Sequence, residues 1–202
     1  MEMFNGIEVM HFDNAPTWEA WLATHHQKQE GIWLKIAKKS SGVPSLADDE
    51  AVDLGLCYGW ISGQRKSYDE VYYLQKYVPR RPRSRWSQVN VAKVEELIAA
   101  GRMRQPGLKE IEAAKADGRW NLAYESQKNA TVPPDFTAAL DQNQRAKSFF
   151  ESLNKTNRYA FILRITTAKD PEMRRSRLQK CVAMLQEGKK FHDQERVQCT
   201  ST

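Results

Sequence analysis

The 202 residues are 41% hydrophobic and 28% charged, which allows one ordinary domain or two small ones around a real core. The formal net charge of +6 favours acidic partners only weakly, because many proteins carry such a charge for solubility alone. Three cysteines (Cys57, Cys181, Cys199) and four histidines (His11, His25, His26, His192) lack paired or metal-ligand spacing, which excludes a disulfide framework and a zinc motif and implies no metal or cofactor.

Glu8–Phe12 reads as a short strand. Asn14-Ala15-Pro16 signals a helix start, and Trp18, Trp21 and Leu22 give that helix a tryptophan face. Ile32, Leu34 and Ile36 alternate with Trp33, Lys35 and Ala37, the pattern of a half-buried strand. Ser45 and Asp48 suggest a loose capping box for a helix carrying Ala51, Val52, Leu54, Leu56 and Cys57. Trp60–Ser62 and Val71–Val78 read as a hairpin, and an Arg-Pro loop follows it. Ser87 is a plausible N-cap for a helix that Gly101 stops, and Pro106 starts another that ends near Gly118. Residues 125–130 turn polar and read as a linker. Helical patterning then fills 131–188: Phe136 with Leu140, then Phe149, Phe150 and Leu153, then Tyr159, Ile162 and Leu163. Asp170-Pro171 opens a last helix that buries Leu178, Cys181, Val182 and Leu185 and stops at Gly188. The expected fold is α+β: a 1–124 domain with a small antiparallel sheet and packed helices, a helical module over 131–188, and a disordered tail over 189–202.

The chemistry concentrates in Pro79-Arg80-Arg81-Pro82-Arg83-Ser84-Arg85-Trp86-Ser87. Four arginines fall within six residues, with no acid inside that span. Guanidinium forks suit phosphate and carboxylate, and two prolines limit the freedom lost on binding. Arg80 and Arg81 are therefore expected to grip an anion, with Ser84, Ser87 and Asn90 as neutral donors beside a helix N-terminus. Trp60 and Trp86 would wall the pocket. A second basic side, Arg174, Arg175, Arg177 and Lys180, runs along the last helix. The plainer readings are solvated charge, a self-capping Ser87 and core aromatics. Gly59-Trp60-Ile61-Ser62-Gly63 misses a nucleophile elbow by one position, and G-x-G-x-x-G and P-loop patterns are absent. His25 and His26 are adjacent and cannot share a helix face.

Along Trp18–Leu22, Gly31–Lys35, Lys39–Gly42, Cys57–Gln64, Pro79–Asn90, Gly101–Met103, Ala113–Trp120 and Val132 to about Gly188, the chain resembles the YdeI/OmpD-associated (bacteriocin-protection) family. The resemblance implies a role in bacteriocin protection or envelope stress and carries no enzymatic reaction. One departure is Ser62, where the family has Asp in W-I-D-G. Losing that carboxylate weakens a general base or cation ligand and favours an anion, and Asp69 is the nearest acidic candidate left.

The favoured reading is a non-catalytic binder of an anionic small molecule or a phosphate-bearing ligand. A nucleic-acid binder using the loop and the basic last helix is the alternative, and an enzyme built around Asp69 is the third. The N-terminus lacks a basic region followed by an apolar run, and no segment is long enough to span a bilayer, so a cytoplasmic protein is expected. Cys199-Thr200-Ser201-Thr202 places a cysteine as prenylation would, but the residues after it are hydroxylic rather than aliphatic.

Overall fold

In the computed structural model of the protein, which describes residues 1–191, the chain opens on a tight hairpin. β1 (Glu2–Phe4) pairs antiparallel with β2 (Ile7–His11) across Asn5-Gly6, whose φ angles are 49° and 72°. A two-residue turn between twisted strands needs positive φ at both positions, and Asn-Gly supplies it at least cost. The sequence reading found β2 and missed β1, although the Asn-Gly pair announces it. Of the expected tail, residues 192–202 with Cys199 lie outside the described residues.

α1 (Ala15–His25) starts where Asn14 accepts a hydrogen bond from the Thr17 N–H at 3.1 Å, and it buries Trp18 and Leu22. It carries the chain across to β3 (Ile32–Ala37), which runs parallel to β2, so the sheet is mixed and not antiparallel as expected, because the α1 crossover brings the chain back in the same direction. The expectation of a half-buried β3 needs correction. Trp33 is as buried as Ile32, Leu34 and Ile36, because the second face of the sheet has its own cluster of Val9, Trp33 and Leu74 under Phe4 and Ile7. Phe4 meets Trp33 edge-on, 5.3 Å between centroids.

α2 (Asp48–Cys57) begins after Ala47, so the Ser45–Asp48 capping box does not form. The Glu50 carboxylate accepts from the Ala47 N–H instead, and Ser45 Oγ accepts from Ala37 N–H at 3.1 Å. Asp48, Asp49 and Glu50 put negative charge on the positive end of the helix, which does the work a capping hydroxyl would have done.

β4 (Trp60–Ser67) and β5 (Tyr72–Pro79) form the expected hairpin, and the five strands lie in the order β1-β2-β3-β5-β4. The register slips between Ser62 and Arg65. Gln75 fills the resulting bulge. It is 4% exposed, donates to the carbonyls of Gly63 and Gln64 at 2.9 and 3.2 Å, and accepts from Arg65 Nε at 2.8 Å. A buried amide with its partners met costs little, whereas one left unmet costs about 1–3 kcal/mol.

α3 (Gln88–Ala99), α4 (Gln105–Ala116), α5 (Pro134–Asp141), α6 (Gln144–Ser152), α7 (Lys155–Thr166) and α8 (Pro171–Gln186) complete an α+β fold. The chain divides into two compact units, one of Met1–Trp86 with Asn90–Asn121, the other of Ser87–Val89 with the chain from Leu122 onward. The second unit has its own core of Phe136, Leu140, Phe150, Phe161, Ile165, Cys181 and Leu185. Asp170 caps α8 through the Met173 N–H at 2.7 Å, with Pro171 at the first helical position as its sequence requires.

Candidate functional site

The Arg-Pro loop leaves β5 at its outer end. Arg80 N–H donates to the Gly59 carbonyl at 2.8 Å, and Ser84 N–H donates to the Arg81 carbonyl at 2.9 Å, which folds the loop back on itself. Arg83 sits at φ 65°, a left-handed conformation that costs a non-glycine residue on the order of 1 kcal/mol. Arg119, tied through Nε to both oxygens of Asp117, donates from Nη1 to the Ser84 carbonyl at 2.6 Å and fixes the far side.

The four arginines do not act alike. Arg80 is buried, 6% exposed, with its guanidinium 3.4 Å from the centroid of the Trp86 ring, and Nη1 donates to the Arg85 carbonyl at 3.3 Å. Arg81 and Arg83 are exposed and form no ion pair with a described residue. Arg85 is exposed.

The other candidates from the sequence are dispersed. Trp60 is fully buried among Trp18 and Trp21, and its indole N–H donates to the His26 carbonyl at 2.8 Å. Trp86 is 1% exposed and packs on Trp120 at 4.9 Å. Both indoles are core, so neither is an open wall for a ligand. Ser62 is exposed on β4 opposite Tyr77. Asp69 closes the other end of the β4–β5 hairpin, accepting from the Val71 and Tyr72 N–H groups. Trp60 pairs with Pro79 and Ser67 with Tyr73, so the length of the strands, roughly 20 Å at about 3.3 Å per residue, separates Asp69 from Arg80. Asp69 is therefore not part of a site with the arginines. Ser84 is half-buried and gives the loop its backbone groups. Ser87 precedes α3 and its backbone pairs with Tyr124, and Asn90 is half-buried in the first turn of α3.

What the first unit does assemble around Arg80 is a cavity of about 580 Å³. Its walls are the end of α1 (His26, Gln27, Gln29), the Tyr58-Gly59 turn, Pro79, and the first turns of α4 (Gln105, Pro106, Lys109, Glu110, Glu112). Gly107 lets α4 come this close, because a Cβ there would stand 2.3 Å from the Cys57 carbonyl oxygen. The His26 Nδ1 is buried and has no hydrogen-bond partner among the described residues. Arg80, Lys109 and the N-terminal end of α4 give the cavity a positive side, and Glu110 and Glu112 bound it. Such a wall can hold an anion against a fixed guanidinium. A thiol nucleophile is not on offer nearby: Cys57 is fully buried, and burial pushes its pKa up to about 11. Among the described residues no three His, Cys, Asp or Glu side chains come together as metal ligands.

His26 is the residue that sequence reasoning passed over. Its adjacency to His25 rules out a shared helix face. That adjacency sends them different ways: His25 stacks on Trp21 at 4.7 Å, while His26 follows the last turn of α1 and lines the cavity.

Searches of curated proteins and of solved structures return no significant match. No helix among the described residues is long and apolar enough to cross a membrane. Residues 10–110 match the family described as Domain of unknown function (DUF8412), and residues 129–188 match the one described as Bacteriocin-protection, YdeI or OmpD-Associated. The chain thus belongs to the first family through half its length, and its C-terminal helices carry the Bacteriocin-protection, YdeI or OmpD-Associated domain that the sequence resemblance indicated.

Proposed function

We propose that the first unit is a non-catalytic binder of an anionic ligand, with Arg80 as the fixed cation of the cavity and Arg81 on the exposed side of the same loop. The observation that carries this reading is Arg80 itself, which lines a cavity of about 580 Å³ while its guanidinium is immobilised on Trp86. A guanidinium already held in place loses little rotamer freedom when an anion arrives. Lys109, Gln27, Gln29 and Gln105 supply further donors around it. The Bacteriocin-protection, YdeI or OmpD-Associated description of the second unit supports a role in envelope stress or bacteriocin protection for the whole chain.

The test is a thermal-shift and calorimetric screen with inorganic phosphate, sugar phosphates, acidic cell-wall fragments and short oligonucleotides. A ligand at a hundred times its dissociation constant raises stability by about 2.7 kcal/mol. We expect a saturable one-to-one shift that Lys109→Ala weakens and Arg80→Ala abolishes. If no anion shifts the protein, or Lys109→Ala and Arg80→Ala bind as the parent does, the cavity is not the site.

Nucleic acid is the second reading, favoured by Arg81 and Arg83, which are exposed and form no ion pair with a described residue. It requires affinity for oligonucleotides that falls steeply with salt and is lost in Arg81→Ala/Arg83→Ala, with Lys109→Ala silent.

A further inference from the structure

The basic side of α8 is not uniform, because among the described residues some of its cations are held by neighbouring side chains and others are not. Arg174 is taken up by Asp135, with Nε and Nη2 on the two carboxylate oxygens at 2.7 and 2.9 Å. Arg177 lies over the end of α7, where Nη1 donates to the Arg164 carbonyl at 3.0 Å and to Thr167 Oγ1 at 3.4 Å. Lys180 and Arg164 are exposed and form no ion pair with a described residue. Both line a cavity of about 780 Å³ in the second unit, a volume in the range of small-molecule sites.

The lining of that cavity sets adaptable apolar side chains among charged ones. Met173, Arg177, Lys180 and Met184 follow one another at helical spacing on one face of α8, so a methionine stands at each end with cations between. Phe191 lies beside them, held on Phe161 at 4.6 Å between centroids. Methionine thioethers fit themselves to varied apolar shapes. Asp170 and Glu172 stand at the α8 N-terminal rim, and Asp170 is already engaged as a helix cap. They repel a second negative charge, which disfavours polyphosphates and nucleic acid. Cys181 behind the floor is 1% exposed, and burial pushes its thiol up to about 11, so it lines the cavity as a small apolar group.

We propose that this cavity binds an amphipathic monoanion: one carboxylate on Arg164 and Lys180, and an alkyl or aryl body on Met173, Met184 and Phe191. The site is independent of the Arg80 cavity. The experiment is isothermal titration of the full chain with decanoate below its micellar concentration, alongside decanol and inorganic phosphate. The expected result is one equivalent of decanoate bound, with decanol and phosphate each weaker by about tenfold or more, since each lacks half of the recognition. Arg164→Ala/Lys180→Ala, both at exposed positions that leave the core intact, should weaken decanoate by about tenfold or more. Arg81→Ala/Arg83→Ala should bind decanoate as the parent does. Absence of binding, uptake of many equivalents, decanol matching decanoate, or unchanged affinity in the Arg164/Lys180 variant would each overturn the proposal. A thermal midpoint for every variant confirms that the protein titrated is folded.

Discussion

The guanidinium of Arg80 lies 3.4 Å from the ring centroid of Trp86, and the indole beneath it is 1% exposed. A cation over a desolvated aromatic face is worth about 2 kcal/mol, more than at an exposed site. The loop is thereby pinned through a side chain that its sequence would assign to a ligand. Arg80→Ala should lower stability by about 1–3 kcal/mol, whereas Arg81→Ala should stay within about 0.5 kcal/mol of the parent. Urea melts of the two variants measure this, and equal stabilities would mean the stacking contributes nothing. Arg80→Lys should rescue only part of the loss, because an ammonium neither stacks as a plane nor forks.

Gly107 sets the distance between α4 and the end of α2. Its substituted Cβ would meet the Cys57 and Leu56 carbonyl oxygens at 2.3 and 2.6 Å, and backbone cannot step aside as a side chain can. Gly107→Ala should cost about 1–3 kcal/mol despite the better helix propensity of alanine. It should also distort the Arg80 cavity, whose wall is α4. A stable Gly107→Ala protein with unchanged denaturant midpoint would show that the helices separate freely.

Burial raises the thiols of Cys57 and Cys181 from 9.0 to about 11. Neither should react with a thiol reagent at neutral pH in the native protein. A Cys199→Ser variant reports on these two alone, and rapid labelling without denaturant would contradict the burial. The sign of the linked stability effect follows. The native state holds its thiol protons more tightly than the unfolded chain, so the contribution is complete below pH 9 and is lost progressively between pH 9 and about 11. Denaturant midpoints measured across that window should fall as pH rises.

Arg174 connects α8 to Asp135 at the start of α5, and through Nη1 to the Ile165 carbonyl in α7. The hydrogen bonds from Arg174 hold the Asp135 carboxyl below its ordinary value of 3.8. The stabilisation is therefore present above pH 3.8 and is lost as pH falls below it. Both side chains are partly exposed, which keeps the pair near the upper end of surface bridges, about 0.5–1 kcal/mol. Asp135→Asn should remove that amount at neutral pH and flatten the acid limb of the stability curve. An unchanged acid limb in the variant would assign the loss to other carboxylates.

Local signals in the sequence proved readable wherever one residue decides the outcome. Asn14 and Asp170 cap α1 and α8, and Gly101, Gly118 and Gly188 stand just beyond α3, α4 and α8. The periodicity of Phe136, Leu140, Phe150 and Leu185 placed the second core, because helical spacing fixes which side chains face inward. Failures arose where tertiary contacts decide. Trp33 alternates as an outward residue and is buried by a cluster whose other members come from three different strands. Arg80 reads as one of four equivalent cations, and no local pattern announces that it turns inward onto Trp86 and the Arg85 carbonyl. Asp69 is close to the loop in sequence and a hairpin's length from it in space. His26, Tyr58 and Glu110 share no motif, and they meet because Gly107 admits α4 to the end of α2. A cavity built from four distant segments leaves no spacing to read.

The bulge that Gln75 fills lies on β4, and β4 is the last strand of its sheet. The slip between Ser62 and Arg65 interrupts the even row of amides and carbonyls that an incoming strand from another chain would need. Arg65 and Lys66 stand along the same border, both exposed. Gln75, a core residue, thus also holds in place an edge irregularity of the kind that discourages strand addition. Its hydrogen bonds with Gly63, Gln64 and Arg65 keep the margin of the sheet irregular, a shape that disfavours pairing with a further strand.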